Sequence, residues 1–198
     1  MKSQKQQEAF VLQTLKKGFD VAADSFSKII NRSVKINASA LAMYNANQFS
    51  YASEGNQDVY VLVTQLMGDF GGKSYLIIPF EDAEEIFNSV FQKKNDNVPL
   101  NEALLLEIDN ILSASVISAI SNEVKAMVYG DVPKLKKMKT SDLKEFLHEE
   151  KDTHESYNVI YSVAAFKFDG REKFRPQFIW KLSSRIFDLI PEDKVATA

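Results

Sequence analysis

The stretch ASVISAISNEVKAMVYGDVP, residues 114–133, passes from an apolar pattern of helical spacing to an alternating pattern typical of a strand. A shift of 94 residues lays its second part over DSFSKIINRSVKINAS, residues 24–39, with the junction between helix and strand at the matching place. Two matching junctions in one chain indicate an internal duplication. The sequence is therefore predicted to contain two copies of one structural unit.

Each copy is predicted to form a helix, three strands and a second helix. In the first copy, about residues 6–94, a long helix is followed by strands at SVKINASALAMYN, DVYVLVTQLM and SYLIIPF and by a helix at EDAEEIFNSVF. In the second copy, about residues 100–198, a long helix from Leu100 to Val124 precedes a strand around Ala126 to Val132. Further strands at YNVIYSVAAFKFDG and FRPQFIWKL and a closing helix at SSRIFDLI complete the order.

Short connections between most of these strands are typical of hairpins, which build antiparallel sheets. We predict a two-layer α/β (α+β) fold, in which a mostly antiparallel six-stranded sheet carries the two long helices side by side and forms a single domain over residues 1–198. The segment KLKKMKTSDLKEFLHEEKDTHES, about residues 134–156, is predicted as an insertion with one short helix. Leu143, Phe146 and Leu147 of that helix are expected to face inward.

The composition excludes several classes of function. The 24 basic and 27 acidic residues give a formal net charge of -3, so the chain lacks the basic field that attracts nucleic acid. It has no cysteine, which excludes disulfides and thiolate zinc sites. The N-terminus lacks the apolar run of a signal peptide, and no stretch approaches the roughly 18 apolar residues of a membrane span. We expect a cytoplasmic protein without membrane insertion.

Three local patterns resemble sites but have simpler explanations. The stretch GGKS at Gly71–Ser74 resembles part of a phosphate-binding loop, yet it joins two predicted strands and lacks the first glycine of that motif. His148 and His154 lie among acidic residues without the ligand spacing of a metal site, so no metal is predicted. The basic run from Lys134 to Lys139 either steers an acidic partner or is a solvated loop.

The helix from Leu100 to Val124 has two different faces. One broad arc is apolar and is predicted to be buried; it consists of Leu104, Leu105, Ile108, Ile111, Leu112, Val116, Ala119 and Ile120. The other face carries small or polar residues: Ala103, Glu107, Asn110, Ala114, Ser118 and Ser121. Such a face suits close approach by another protein or coverage by a neighbouring helix of the same chain, and the helical wheel leaves both open.

Glu107 and Asn110 project from this second face, three residues apart, and Pro133 follows Asn110 after 22 intervening residues. This spacing resembles the signature of the CheC/CheX/FliY family of response-regulator phosphatases, E-x2-N-x22-P with Asp or Ser four residues before the Glu. The duplicated order of helices and strands is similar to that family over nearly the whole chain. Two positions depart from it, because Ala103 replaces the Asp or Ser and DNILSAS, residues 109–115, replaces a glycine-rich run.

The first copy does not keep the motif. The same shift of 94 residues places Gln13, Lys16 and Ser39 at the positions of Glu107, Asn110 and Pro133. The resemblance therefore implies one site per chain, as in CheX-like members, in which two chains pair as a homodimer. A homodimer would also cover the apolar strand YNVIYSVAAF, which is predicted to lie at the edge of the sheet.

The resemblance implies a phosphatase that hydrolyses the aspartyl phosphate of a CheY-like receiver domain, which itself supplies Mg²⁺ and a lysine. Asn110 would position the attacking water, and Glu107 would anchor the receiver through that lysine. Ala103 and Ala114 would belong to the partner-binding surface, Pro133 would be structural, and no cofactor is expected on this chain. The alternative is a non-catalytic binding or scaffold module of a chemotaxis or flagellar-switch complex that keeps the same fold.

Overall fold

Helices and one β-sheet make up the described part of the chain, which is residues 3–45, 49–51, 55–92, 96–149, 156–168, 171–174 and 176–195 of a computed structural model. The helices are α1 (Gln4–Ile30), α2 (Phe80–Phe91), α3 (Val98–Val124), α4 (Thr140–Glu149), α5 (Ile186–Leu189) and α6 (Glu192–Val195). The strands are β1 (Val34–Asn45), β2 (Asp58–Gly68), β3 (Gly72–Pro79), β4 (Val128–Gly130), β5 (Lys134–Lys139), β6 (Tyr157–Phe168), β7 (Arg171–Phe174) and β8 (Gln177–Ser183). The predicted α+β class is confirmed.

The two long helices, α1 and α3, end in the same way at positions 94 residues apart. Asn31 after α1 and Lys125 after α3 both adopt the left-handed conformation, with φ angles of 50° and 55°. Their backbone N–H groups donate to the carbonyl oxygens of Ser27 and Ser121, which correspond to each other under the same shift. Such a cap satisfies a helix-terminal carbonyl and turns the chain into the following strand. This shared geometry supports the duplication.

The strands form a single sheet in the order β1-β6-β8-β3-β2-β4, with β5 also beside β2 and β7 also beside β6. Every pairing between the described strands is antiparallel. β4 and β5 follow each other along β2, and β7 and β8 follow each other along β6. The strands therefore occupy six positions across the sheet, in agreement with the predicted six-stranded arrangement.

The two copies exchange their first strands. β1 of the first copy pairs with β6 of the second, β4 and β5 of the second copy pair with β2 of the first, and β3 pairs with β8 at the centre. The prediction of hairpins between most successive strands is right for β2 and β3 but wrong for β1 and β2, which do not pair within the described residues. The exchange interlocks the copies, because each completes its part of the sheet with a strand from the other.

The interior position of β6, which contains YNVIYSVAAF, contradicts the prediction that this strand is an exposed edge. β6 lies between β1 and β8, and the edges are β1 and the row formed by β4 and β5. On β5, Lys137 lies 2.7 Å from Glu102 and Lys139 lies 2.7 Å from Asp58. Lysines on an outer strand are typical of edges protected against association with other chains. The exposed-strand argument for a homodimer therefore fails.

The segment at 134–156 begins as a strand and not as an insertion. Residues 134–139 form β5 on β2, and α4 follows at Thr140. Leu143 and Leu147 of α4 are buried as predicted, with Phe146 packed beside them, but they lie on the sheet face opposite to α1 and α3. α4 thus adds a partial third layer that the two-layer prediction did not include, while residues 150–155 lie outside the described part.

The contact between α1 and α3 is closest at Gly18. A Cβ atom added at Gly18 would lie 2.6 Å from the Cα atom of Val116, so only a residue without a side chain lets the two backbones approach this closely. Together the two helices bury their apolar faces against the sheet, where Phe178 and Trp180 are fully covered. The predicted side-by-side placement of the two long helices is confirmed.

By length and composition, α3 is long and apolar enough to cross a membrane, and half of its most apolar 18-residue window is buried inside the fold. The expectation that no stretch approaches a membrane span is therefore wrong for α3, in which small polar residues such as Ser113 and Ser118 stand between many apolar ones. In the folded chain α3 packs against α1 and the sheet, as the core helix of a domain does.

Candidate functional site

The face of α3 that carries Glu107 and Asn110 is open. Both residues are exposed, and so are Ala103 and Ala114 on either side of them. Leu105, on the opposite side of α3, is fully buried in the helix layer, and this burial fixes the rotation of the helix. α1 contacts α3 along a different side, at Val116, so it does not cover this face. The alternative of a face covered by a neighbouring helix is thereby excluded within the described residues.

The side chains of Glu107 and Asn110 make no ion pair or side-chain hydrogen bond with any residue in the described ranges. Residues three apart on a helix project from neighbouring points of its surface, so one partner surface can contact both. A carboxylate and an amide that no neighbour in the described chain satisfies are available to such a partner. The structure thus brings this sequence-predicted pair together at the surface.

Pro133 lies at the break between β4 and β5, where it is buried. β2 pairs with Gly130 through Leu66 and with Lys134 through Val63, so Thr64 is level with the break. Proline has no backbone N–H to donate to a sheet, which suits this interruption. Pro133 therefore lies beside the part of β2 that contacts α3 through Thr64. It is buried and does not lie with Glu107 and Asn110 on the exposed face.

Asp109 is the residue of this region that the sequence analysis did not identify as important. It is fully buried, and its Oδ2 accepts a 2.7 Å hydrogen bond from Thr64 Oγ1. Burial raises the pKa of its carboxyl from 3.8 to about 7, and the hydrogen bond from Thr64 opposes part of that rise. The sequence contains one signal for this residue: the shift of 94 residues pairs Asp109 with the apolar Leu15. An acid at the position of an apolar residue indicates a buried carboxyl group.

The corresponding face of α1 carries Gln13 and Lys16, both exposed. The register between β1 and β6 shifts between Ser39 and Ala42, so a strand irregularity begins at the position that corresponds to Pro133. The first copy therefore keeps the backbone features of the second, and the two faces differ in their side chains.

The remaining candidate sites do not come together as sites. Residues 71–74 lie in and beside the turn between β2 and β3, as predicted for a hairpin. No group of three or more His, Asp or Glu side chains that could hold a metal ion occurs in the ranges that the structure describes, and His154 lies outside them. In the basic run, Lys136 lies 4.6 Å from the centre of the Phe146 ring, and the run forms a strand and not the solvated loop that was one interpretation.

Comparison with solved structures identifies the fold. FliY from Thermotoga maritima superposes with a TM-score of 0.71 at 12% identity, covering 99% of this chain and 98% of that one. CheX from Desulfovibrio desulfuricans gives a TM-score of 0.56 at 12% identity, covering 86% of this chain and 99% of that one. The chain has the CheC-like fold. FliM from H. pylori, solved in complex with FliG, gives a TM-score of 0.62 at 13% identity, covering 99% of this chain and 100% of that one.

No protein-family profile matches the chain. No curated protein matches it either. At identities of 12 and 13%, the structural neighbours show the CheC-like fold and leave the function to be argued from the site. Those neighbours include both CheX, a chemotaxis protein, and FliM, so the fold alone favours neither of the two functions considered above.

Proposed function

We propose that this chain is a phosphatase that hydrolyses the aspartyl phosphate of a CheY-like receiver domain. The observation that supports this most directly is the pair Glu107 and Asn110, which is exposed on a helix held firmly by its buried face and free of side-chain partners in the described chain. The spacing to Pro133 and the CheC-like fold add independent support, because both features belong to the phosphatase family that the sequence resembles.

Asn110 is proposed to position the attacking water. A side-chain amide can donate one hydrogen bond and accept another, so it can hold water in line with the phosphorus without exchanging a proton itself. The receiver supplies the Mg²⁺ and the lysine that neutralise charge on the phosphoryl group, and this chain supplies orientation. Such a contribution needs an exposed amide on a rigid helix, which is how α3 presents Asn110.

Glu107 is proposed to anchor the receiver by pairing with its active-site lysine. The small side chains of Ala103 and Ala114 let another protein approach the helix closely on both sides of the pair. At the nearby sheet edge, Tyr129 and Val132 are 53% and 76% exposed, and they add apolar area for the same partner. The proposed receiver surface therefore extends from α3 to the β4 edge.

The second candidate function is a non-catalytic scaffold in a flagellar-switch or chemotaxis complex. The likeness to FliM, which was solved in complex with FliG, favours it. Ala103 favours it as well, since the resemblance places Asp or Ser at that position. The two functions differ in one measurement, which is phosphate release from a phosphorylated receiver with and without this chain. Release at the receiver's own rate would reject the phosphatase.

Replacing Glu107 with alanine is expected to weaken binding to a phosphorylated receiver about tenfold, or ~1.4 kcal/mol, because the anchoring charge is lost. Titration calorimetry with a receiver carrying a stable phosphoryl mimic measures this directly. Gln13→Ala, at the corresponding position of α1, is the matched control and should bind as the wild type does. An affinity of Glu107→Ala equal to that of the control would reject the ion pair.

Lys16→Ala is expected to leave phosphate release unchanged, because an exposed lysine at the position of Asn110 cannot place water for attack and repels the receiver's own lysine. The measurement is best made in chains that carry Asn110→Ala as well, where any residual activity of the first copy is visible. A loss of that residual activity on replacing Lys16 would show that the first copy takes part in catalysis.

The homodimer implied by the resemblance remains a proposal, now without the exposed-strand argument. Light scattering at micromolar concentration tests it directly. A species of 22.4 kDa, the mass of one chain, would contradict it.

A further inference from the structure

A buried carboxyl group lies beneath the exposed face of α3. Asp109 precedes Asn110 in the sequence, is 0% exposed, and has no part in the proposed mechanism. Thr64 Oγ1 donates to its Oδ2 over 2.7 Å, whereas its Oδ1 has no hydrogen-bond partner among the described residues. The first copy has Leu15 at this position, also 0% exposed. An apolar side chain therefore suffices for packing there, and the acid in α3 needs a different explanation.

The described surroundings of Asp109 are neutral. The buried side chains of α1 and α2, which both contact α3, carry no charge. Thr64 on β2 pairs with Ser74 on β3, which in turn pairs with Trp180 on β8. Neither Ser74 Oγ nor Trp180 Nε1 has a hydrogen-bond partner in the described residues.

Charged groups on the neighbouring elements lie toward the surface and not against Asp109. Those without an ion pair in the described residues include Glu107 on α3, Asp131 after β4 and Lys134 on β5, all of them exposed. Glu102 on α3 forms an ion pair with Lys137 of β5 at 2.7 Å. A carboxylate at position 109 would be a charge with one hydrogen bond in a neutral interior, so burial favours the protonated acid.

We propose that Asp109 is a positioning residue for Asn110. As the neutral acid, Asp109 stays enclosed and holds α3 against β2 through Thr64; on ionisation, the cost of burying its charge loosens the turn that presents Asn110. Asn110 adjoins the anchored residue on the same helical turn, so a shift of that turn moves its amide relative to any partner. The effect on phosphate release rests on the proposed function, but the effect on α3 does not.

The direction of the pH effect follows from burial. The pKa of Asp109 in the folded chain is about 7, against an ordinary value of 3.8. Between these values the folded state binds this proton and the unfolded chain does not, so the folded state holds more protons. The contribution of Asp109 to the free energy of unfolding is therefore fully present at low pH and is lost as the pH rises to about 7. Above that pH the acid is ionised. The bond from Thr64 then favours the carboxylate, but the larger cost of burying the charge destabilises the enclosed position.

Carboxyl-carbon NMR on the full chain tests the protonation directly, with the Asp109 signal assigned by its absence in Asp109→Asn. We expect a titration midpoint near pH 7 in the wild type. Thr64→Val should move the midpoint higher, because it removes the hydrogen bond that lowers the pKa. A wild-type midpoint near the ordinary value of 3.8, or one that Thr64→Val leaves unchanged, would overturn the proposal.

Amide hydrogen exchange in α3 tests positioning without any receiver. The ratio of wild-type to Asp109→Asn exchange rates at residues 109–113 should rise as the pH increases from 3.8 to about 7 and then level off, because the asparagine keeps a neutral acceptor for Thr64 at every pH. A ratio that does not change with pH would overturn the proposal. Comparing the two proteins at each pH removes the intrinsic pH dependence of exchange.

Phosphate release then separates this inference from the proposed function. With the receiver's own rate subtracted, release by the wild type should decline above pH 7, and Asp109→Asn should not show that decline. If α3 responds to pH but no phosphate is released at any pH, the positioning role is supported and the phosphatase is rejected. If release has the same pH profile in both proteins, the positioning role is overturned and the phosphatase stands.

Discussion

Replacing Asn110 with alanine is expected to lower phosphate release from a phosphorylated receiver about 100-fold, toward the receiver's own rate. The amide is proposed to orient one water, and losing that orientation raises the barrier by about 2.7 kcal/mol. Asn110 is exposed and its side chain has no partner in the described chain, so its removal should leave the fold intact. Single-turnover release with this chain in excess over the receiver measures the chemical step separately from binding.

Ser118→Ala provides the matched control, because Ser118 is exposed on the same face of α3, two turns away. It should release phosphate at the wild-type rate. Calorimetry should show that Asn110→Ala still binds the phosphorylated receiver with nearly wild-type affinity. Wild-type release by Asn110→Ala would reject the water-positioning role, and loss of release together with binding would assign Asn110 to docking instead.

Replacing Gly18 with valine is expected to lower the free energy of unfolding by about 3 kcal/mol or more. A Cβ atom at this position would lie 2.6 Å from the Cα atom of Val116, a backbone atom that no rotamer change can move. The helices must separate, and their separation opens the layer between them and the sheet. At an exposed helix position, replacing glycine with alanine would raise the free energy of unfolding by about 1 kcal/mol through helix propensity. If Gly18→Ala lowers it, the close contact with Val116 outweighs that gain.

Gly71→Ala is the control for the same change of residue type, since an added Cβ would meet nothing closer than the Leu66 carbonyl oxygen at 3.9 Å. Its free energy of unfolding should stay close to that of the wild type in urea titrations. In chains that also carry Val116→Ala, Gly18→Ala should remain destabilising, because the contact involves Cα. If Gly18→Ala no longer lowers the free energy of unfolding in the Val116→Ala background, the clash is with the Val116 side chain. That result would contradict the backbone explanation.

The faces of α3 could be predicted from the sequence, because a helix repeats at a constant angle and its apolar arc must be buried. That reasoning put Glu107 and Asn110 away from the apolar arc and left open whether a neighbouring helix covers them; in the structure both are exposed. The same wheel puts the acid at position 109 inside the apolar arc, between Val116 and Ile120, where it is fully enclosed, but a wheel cannot show which group its carboxyl bonds. Its burial depends on Thr64, which is 45 residues away in the sequence.

The segment at 134–139 shows a different limit. Lysine at four of its six positions is unlike a buried strand, and the segment was predicted as part of an insertion. It forms β5 because it continues β4 along an available edge of β2, where its backbone groups find partners. Backbone hydrogen bonds to β2 thus outweighed the low strand preference of the lysine-rich side chains. Those hydrogen bonds depend on a strand of the other copy, which the local sequence does not reveal.

By itself, the sequence determined the local elements of this protein: two long helices ending at corresponding positions, the apolar faces that they bury, and the spacing of the exposed pair. These features depend on residues near one another in the chain, where periodicity and capping operate. The tertiary structure alone decided which strands pair, so that β1 and the row of β4 and β5 exchange between copies and β6 becomes interior. It also decided the burial that raises the pKa of Asp109 and the need for glycine at position 18. Each of these features depends on contacts between segments that are far apart in the sequence. The local sequence pattern does not show which distant segment will make the contact.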